Sequence, residues 1–134
     1  MLVEQMLRTH PMHAGDRDLA HCVEACFSCA QACIACADAC LGEEMIADLV
    51  TCIRLNMDCG DACLATGAIA SRRTGDNPTV TRAMLEACME ACRICAEECE
   101  SHADAHEHCR ICAEACRSCE TACRQALDAS PALN

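Results

Sequence analysis

The sequence predicts an all-α protein: an antiparallel up-down-up-down four-helix bundle that residues 1–134 form as a single domain. Cysteines recur at alternating steps of four and three residues, which is the spacing of one face of a bundled helix and not the period of a strand. The breaks between these stretches are short, which favours antiparallel neighbours. Of 134 residues, 18 are cysteine and one, Phe27, is aromatic. The interior is therefore expected to consist mainly of Cys and Ala side chains.

The first predicted helix covers 17–41 and contains six cysteines on one face, namely Cys22, Cys26, Cys29, Cys33, Cys36 and Cys40. A turn near Gly42 separates it from the second predicted helix, 43–72. There the inward stripe is mixed, with Met45, Cys52, Asn56, Cys59 and Cys63 at the stripe positions.

The third predicted helix, 79–101, follows a loop that contains Gly75 and Pro78, which are strong helix breakers. Its stripe consists of Cys88, Cys92, Cys95 and Cys99, and His102 continues it. After a turn near 101–106, the fourth predicted helix, 105–128, has Cys109, Cys112, Cys116, Cys119 and Cys123 on one face, with His106 three residues ahead. Residues 2–9 fit a short additional helix that ends before Pro11.

The composition argues against several classes of protein. A net charge of −11 does not suit a nucleic-acid partner, which needs a basic face. Glu4 and Arg8 interrupt the apolar run expected of a signal peptide, and we expect no stretch long enough to span a membrane. A cytoplasmic protein is therefore expected, in a reducing compartment where structural disulfides are rare. No motif of a hydrolase or nucleotide-binding enzyme is present, so we expect a non-enzymatic protein.

The thiols are expected to bind metal. Cysteines three or four residues apart on a helix have Cβ atoms roughly 5–6 Å apart, whereas a disulfide needs about 3.8 Å. The cysteine gaps also differ from the ferredoxin pattern for iron–sulfur clusters. Four thiolates around Zn²⁺ leave two negative charges, which are costly to repeat in an apolar interior. Cu(I) is soft and monovalent, so one shared thiolate per ion leaves no net charge.

The charge argument therefore favours storage of many Cu(I) ions. A zinc or general soft-metal sink is the main alternative. A thiol redox protein would need an exposed cysteine of low pKa, and a copper chaperone would need only a few exposed ligands.

Antiparallel helices place different residues at the two ends of the bundle. At one end we expect an apolar plug made of Leu19, Ile69, Leu85 and Leu127. The other end collects Cys40, Met45, Cys99, His102, His106 and His108, which are soft or borderline ligands, and we expect Cu(I) to enter there. Asn56 lies among inward cysteines, so its amide must find partners inside the bundle or lend its oxygen to metal.

In this pattern the chain resembles the cytosolic copper storage proteins of bacteria. The resemblance rests on C-x3-C-x2-C-x3-C-x2-C-x3-C over 22–40, on Asn56-x2-Cys59-x3-Cys63, on the run Cys88 to Cys99, and on His106-Glu-His108-Cys109-x2-Cys112. It covers essentially the whole chain. The resemblance implies a largely preformed bundle that holds many Cu(I) ions in its core, assembles as a homotetramer and is not secreted.

Overall fold

A computed structural model describes residues 2–12, 17–75 and 77–129. Five α-helices make up most of this part of the chain: α1 (Leu2–Arg8), α2 (Arg17–Leu41), α3 (Val50–Ala70), α4 (Pro78–His102) and α5 (Glu107–Ala129). A 3-10 helix, Ile46–Leu49, precedes α3. The described residues contain no strand.

The four long helices form a ring in which α2 packs on α3, α3 on α4, α4 on α5 and α5 on α2. Sulfur contacts show the relative direction of α2 and α5. Cys22, near the start of α2, lies 3.4 Å from Cys123, near the end of α5. Cys36, near the end of α2, lies 3.9 Å from Cys109, near the start of α5. Contacts that run in opposite order along two helices are those of antiparallel neighbours.

The α3–α4 pair has the same arrangement. Cys52 lies 3.8 Å from Cys99, whereas Cys63, three turns further along α3, lies 3.7 Å from Cys88. The short connections at both ends of the bundle account for this order, because a chain that turns after a few residues must return alongside the previous helix.

The core consists almost entirely of sulfur and small side chains, as the composition predicts. All of the cysteines are buried, together with Ala30, Ala96, Ala122 and Ala126. Leu49, Leu85 and Val23 are the largest fully buried apolar side chains. Charged residues lie on the outer face, where pairs such as Arg54 and Asp58 are one helical turn apart.

The second predicted helix begins later than the sequence indicated. The prediction placed its start at residue 43, but 43–45 form a turn, 46–49 form the 3-10 helix, and α3 begins at Val50. The heptad stripe was extended through this segment because Met45 and Leu49 have the correct spacing. Leu49 is fully buried, but Met45 is 60% exposed. The prediction that Met45 faces the core is therefore wrong.

The apolar end of the bundle is closed by more residues than expected. Leu19 and Leu85 are buried there. Leu7 of α1 is also buried and joins the same core. The loop between α3 and α4 lies at this end, and its Thr74 Oγ1 is 3.5 Å from His10 Nε2. Gly75 in this loop has a φ of +70°, which suits glycine and few other residues.

By length and composition alone, helix α2 is long and apolar enough to cross a membrane, contrary to the expectation that no stretch would be. Half of its most apolar stretch is buried inside the bundle. Its apolar character comes largely from cysteine and alanine, and the cysteines face the shared core.

Candidate metal centre

The eighteen cysteines are free thiols, and each is at most 2% exposed. The helix period explains this, because steps of four and three residues keep successive side chains on the one face that each helix turns inward. Four such faces meet along the bundle axis and shield the sulfur atoms from solvent. The result is a column of sulfur atoms that runs through the molecule.

Within this column the sulfur atoms form overlapping groups of four. In each group the ligand atoms all lie within 4.8 Å of one another. Three of these groups occupy the middle of the column: Cys29, Cys59, Cys63 and Cys92; Cys29, Cys33, Cys59 and Cys116; Cys33, Cys95, Cys112 and Cys116. Adjacent groups share members, so an ion bound in one group has a thiol in common with the next.

The column continues toward both ends. Near the apolar plug, Cys26, Cys88, Cys119 and Cys123 form a further group, and Cys22 adjoins it through Cys123. At the opposite end, Cys36, Cys40 and Cys109 form a group with His108. Cys52 and Cys99 are 3.8 Å apart on the α3–α4 side of this end. Every cysteine predicted from the sequence to bind metal therefore belongs to the column.

Asn56 interrupts the column of sulfur atoms. Its amide is the only one of an Asn or Gln side chain that is buried among the described residues. Its Oδ1 accepts hydrogen bonds from the Cys95 and Cys112 thiols, each at 3.1 Å. Its Nδ2 donates to Cys52 Sγ at 3.4 Å. Without metal, the amide is thus satisfied by thiols from three different helices, as a buried polar group requires.

His108 is the histidine that the structure brings to the thiols. Its Nδ1 lies 3.4 Å from Cys36 Sγ and 3.6 Å from Cys109 Sγ. We call this group of Cys36, Cys40, Cys109 and His108 the mouth site. His108 Nε2 points the other way, is buried, and has no hydrogen-bond partner among the described residues. Glu43 Oε2 is 3.5 Å from it, near enough for a charge contact but without hydrogen-bond geometry.

The other predicted residues at this end lie around the mouth site. His106 Nδ1 is in direct contact with Glu43 Oε2, and its ring stacks on that of His108 with the centroids 5.5 Å apart. His102 Nε2 lies 3.3 Å from Glu98 Oε2, one turn earlier on α4. Met45 is exposed at the surface. The sequence prediction missed Glu43, although it follows directly after the turn at Gly42 that reaches this end.

Burial and crowding change the acidity of the mouth-site groups. Burial, followed by the charges of Cys36 and Cys52, raises the pKa of the Cys40 thiol to about 12. Burial is also the main reason why the pKa of Cys109 lies above the ordinary thiol range. For His108, burial alone would lower the pKa, but the contacts with Cys36 and Glu43 outweigh burial and raise it.

Beyond the mouth site, the pKa values of the column thiols do not all shift in one direction. Hydrogen bonds with Cys123 and Cys26 raise the pKa of Cys119. Hydrogen bonds with Cys116 and Cys29 lower the pKa of Cys59. A thiolate in this desolvated interior is stabilised mainly by neighbouring S–H groups, so metal-free sulfurs must share protons.

This donor set suits a soft, singly charged ion. The closely spaced thiols offer each ion several sulfur ligands. Because neighbouring ions share thiolates, the number of thiolates per ion stays near one. The buried polar side chains of the described residues are Asn56 and Thr66, so no cationic side chain there offsets the two negative charges that four thiolates leave around a divalent ion.

Comparison with known proteins gives concordant results. The sequence profile of the family described as "Copper storage protein" matches residues 16–128. The uncharacterized cysteine-rich protein YhjQ of Bacillus subtilis (strain 168) is 36% identical over 103 residues, which are 77% of this chain and 90% of YhjQ.

Two solved structures of a protein from Streptomyces lividans are similar along nearly their whole length. One is the copper storage protein Ccsp loaded with 10 copper equivalents, with 55% identity, a TM-score of 0.90, and coverage of 94% of this chain and 98% of that one. The other, a cytosolic copper storage protein with five coppers, has 57% identity, a TM-score of 0.83, and coverage of 84% and 94%.

Proposed function

The chain belongs to the copper storage protein family, and on that premise we propose that it binds and stores many Cu(I) ions in the cytosol through the thiolates of its core. The continuous column of buried thiols carries this proposal, since storage needs many sites of similar chemistry that water and oxidants do not reach. The loaded Streptomyces lividans structures support it. The protein acts as a single domain and without catalysis.

All eighteen cysteines are proposed as ligands. We further propose that Cu(I) enters at the mouth site, where His108 contacts the thiols, and that His102 and His106 act as outer ligands on the way in. Asn56 is proposed as an oxygen ligand within the column. Met45 is the weakest candidate, because its exposed side chain lies outside the buried stripe.

A titration with Cu(I) tests the storage function. Reduced, metal-free protein is titrated anaerobically in the presence of a coloured Cu(I) chelator, and the ions withheld from the chelator are counted. We expect roughly one ion per thiol, in keeping with one thiolate for each monovalent ion. A count of two or fewer contradicts storage. The same titration with Zn²⁺ tests the alternative of a general soft-metal sink, which predicts comparable capacity and affinity for both metals.

We also propose that the chain forms a homotetramer, as the family resemblance implies. Exposed apolar side chains on the α2–α3 face support an association of copies: Ile34, Met57 and Leu64 are 54%, 55% and 43% exposed. Sedimentation equilibrium measures the state directly. Ile34→Glu should shift it toward monomer, whereas Ile111→Glu, on the face away from α3, should leave it unchanged. Neither nucleic acid nor a membrane is proposed as a partner.

A further inference from the structure

The Glu43 carboxylate faces two histidines at once, through different ring nitrogens. Its Oε2 is in contact with Nδ1 of His106 and lies 3.5 Å from Nε2 of His108. The two rings stack with an interplanar angle of 28°, so one carboxylate lies at the edge of both. Of the two imidazoles, only His108 has its other nitrogen directed at thiols of the column.

The backbone ties Glu43 to the mouth site. Glu43 N donates a hydrogen bond to the carbonyl oxygen of Cys40, at 3.2 Å, and Gly42 N donates to Ala39 O at 3.0 Å. These bonds continue the last turn of α2 and hold the residue directly beyond a mouth-site cysteine. The Glu43 side chain is 33% exposed, so its carboxylate is partly open to solvent.

The carboxylate can interact favourably with each ring in only one neutral tautomer. An ionised carboxylate only accepts hydrogen bonds, so the nitrogen that faces it must have the proton. His106 is therefore favoured with its proton on Nδ1, and His108 with its proton on Nε2. For His108, the opposite tautomer would place a nitrogen lone pair against the carboxylate and leave Nδ1–H directed at the sulfurs.

We propose that Glu43 is a positioning residue for copper: it fixes the tautomers of both histidines, so that His108 presents an unprotonated Nδ1 to the ion bound with Cys36, Cys40 and Cys109. The proposal rests on the proposed copper function. A nitrogen must be unprotonated to bind a metal, and the second nitrogen of a metal-bound histidine commonly donates to a carboxylate. This accounts for the buried His108 Nε2, which lies 3.5 Å from Glu43 Oε2.

Nitrogen-15 NMR tests the proposal, because the chemical shifts of imidazole nitrogens identify the protonated one. In metal-free, reduced protein at a pH where both rings are neutral, we expect the Nδ1–H form for His106 and the Nε2–H form for His108. In Glu43→Ala, His106 should lose its Nδ1–H form. Glu43→Gln retains an acceptor oxygen and should restore that form at least in part.

Glu44→Gln is the matched control, since it removes the same charge from the next residue, whose side chain is exposed. It should leave both tautomers as they are in the unaltered chain. If Glu44→Gln and Glu43→Ala change the spectra equally, or if His106 has its proton on Nε2 in the unaltered chain, the proposal is wrong.

The copper-bound state gives the second measurement. Cu(I) is diamagnetic, so the nitrogen shift of His108 Nδ1 reports its occupancy directly while a chelator sets the free Cu(I) concentration. Glu43→Ala should weaken binding at His108 roughly 10- to 100-fold, as expected for the loss of an outer partner of a ligand. Its total copper count should stay close to that of the unaltered chain, because the rest of the column is intact.

These results separate the proposal from the copper function. If the chain binds no copper but the tautomers depend on Glu43, storage is wrong and the positioning of the rings stands. If the chain fills with copper and His108 binds equally well in Glu43→Ala, storage stands and the role of Glu43 is overturned. Circular dichroism of the partly exposed Glu43 variants establishes that they fold.

Discussion

At the scale of single residues, Asn56 is the clearest departure from a uniform thiol column. The metal-free protein satisfies its oxygen with S–H groups of Cys95 and Cys112. Copper replaces those protons, so the same oxygen loses its donors in the loaded state. No water reaches this fully buried side chain. A Cu(I) ion is then the partner that remains for the oxygen, which supports its proposed role as a ligand.

The variant Asn56→Leu tests this role, because leucine has a similar shape and no oxygen. Its copper capacity should fall by about one ion per chain, while the stability of the metal-free fold should change by only about 1 kcal/mol, since the thiols left behind are weak hydrogen-bonding groups with other sulfur atoms nearby. Copper titration and chemical denaturation of the reduced protein measure the two quantities. An unchanged copper count in a folded variant would limit Asn56 to a structural role.

At the scale of helices, the contact between α2 and α3 depends on glycine. A Cβ atom added at Gly67 would lie 3.0 to 3.2 Å from three ring atoms of Phe27, closer than ordinary packing allows. At Gly60, about two turns earlier, an added Cβ would meet Ile34 Cγ1 at 3.5 Å and Cys33 Cβ at 3.6 Å, which are ordinary contacts.

Gly60→Ala and Gly67→Ala therefore form a matched pair. Both substitutions should stabilise the helix by about 1 kcal/mol, because alanine favours helix more than glycine does, but only Gly67→Ala must displace the Phe27 ring. We expect Gly60→Ala to unfold at a higher denaturant concentration than the unaltered metal-free chain, and Gly67→Ala to be less stable than Gly60→Ala by about 1–2 kcal/mol. Equal stabilities would mean that the ring moves aside without cost.

The end of the bundle with the histidines also yields a prediction. If Cu(I) enters there, replacing His102, His106 and His108 together with alanine should slow copper uptake from a coloured chelate by about tenfold or more, because the path to the buried thiols loses its outer ligands. The total count should fall by at most about one ion, since the thiols remain.

His21→Ala provides the control for this experiment, because His21 is exposed on α2 beside the stripe and away from the mouth site. Stopped-flow absorbance of the chelate gives the uptake rates. If the triple variant fills as fast as His21→Ala does, the proposed entrance is at the wrong end of the bundle.

The helices themselves were predictable from the sequence, whereas their junctions were not. Steps of four and three residues specify which face of each helix is buried, so the cysteines of the column could be identified without coordinates. The same rule placed Met45 in the core, because heptad spacing does not distinguish an α-helix from a turn followed by a 3-10 helix. The contact of Glu43 with His106 joins residues 63 positions apart and depends on how two turns meet, which no local pattern contains.

At the scale of the whole molecule, copper retention and protonation are linked. The pKa of Cys36 is lowered to about 6, but the other two mouth-site thiols bind protons tightly in the metal-free state, since burial raises the pKa of Cys40 to about 12 and also raises that of Cys109. At neutral pH these thiols are protonated, and Cu(I) must displace the protons to bind. Loading therefore releases protons, and a falling pH favours the metal-free state.

The affinity of the mouth site should thus fall by about tenfold for each unit of pH and each proton displaced, across the range below the raised thiol pKa values. The raised pKa of His108 acts in the same direction, because protonation of its Nδ1 removes a further ligand. Chelator competition at a series of pH values measures the slope, and a lightly buffered indicator solution counts the protons released on loading. The slope of affinity against pH and the number of protons released must agree, since both report one equilibrium. An affinity that does not change with pH would mean that the mouth-site sulfurs are already thiolates before copper arrives.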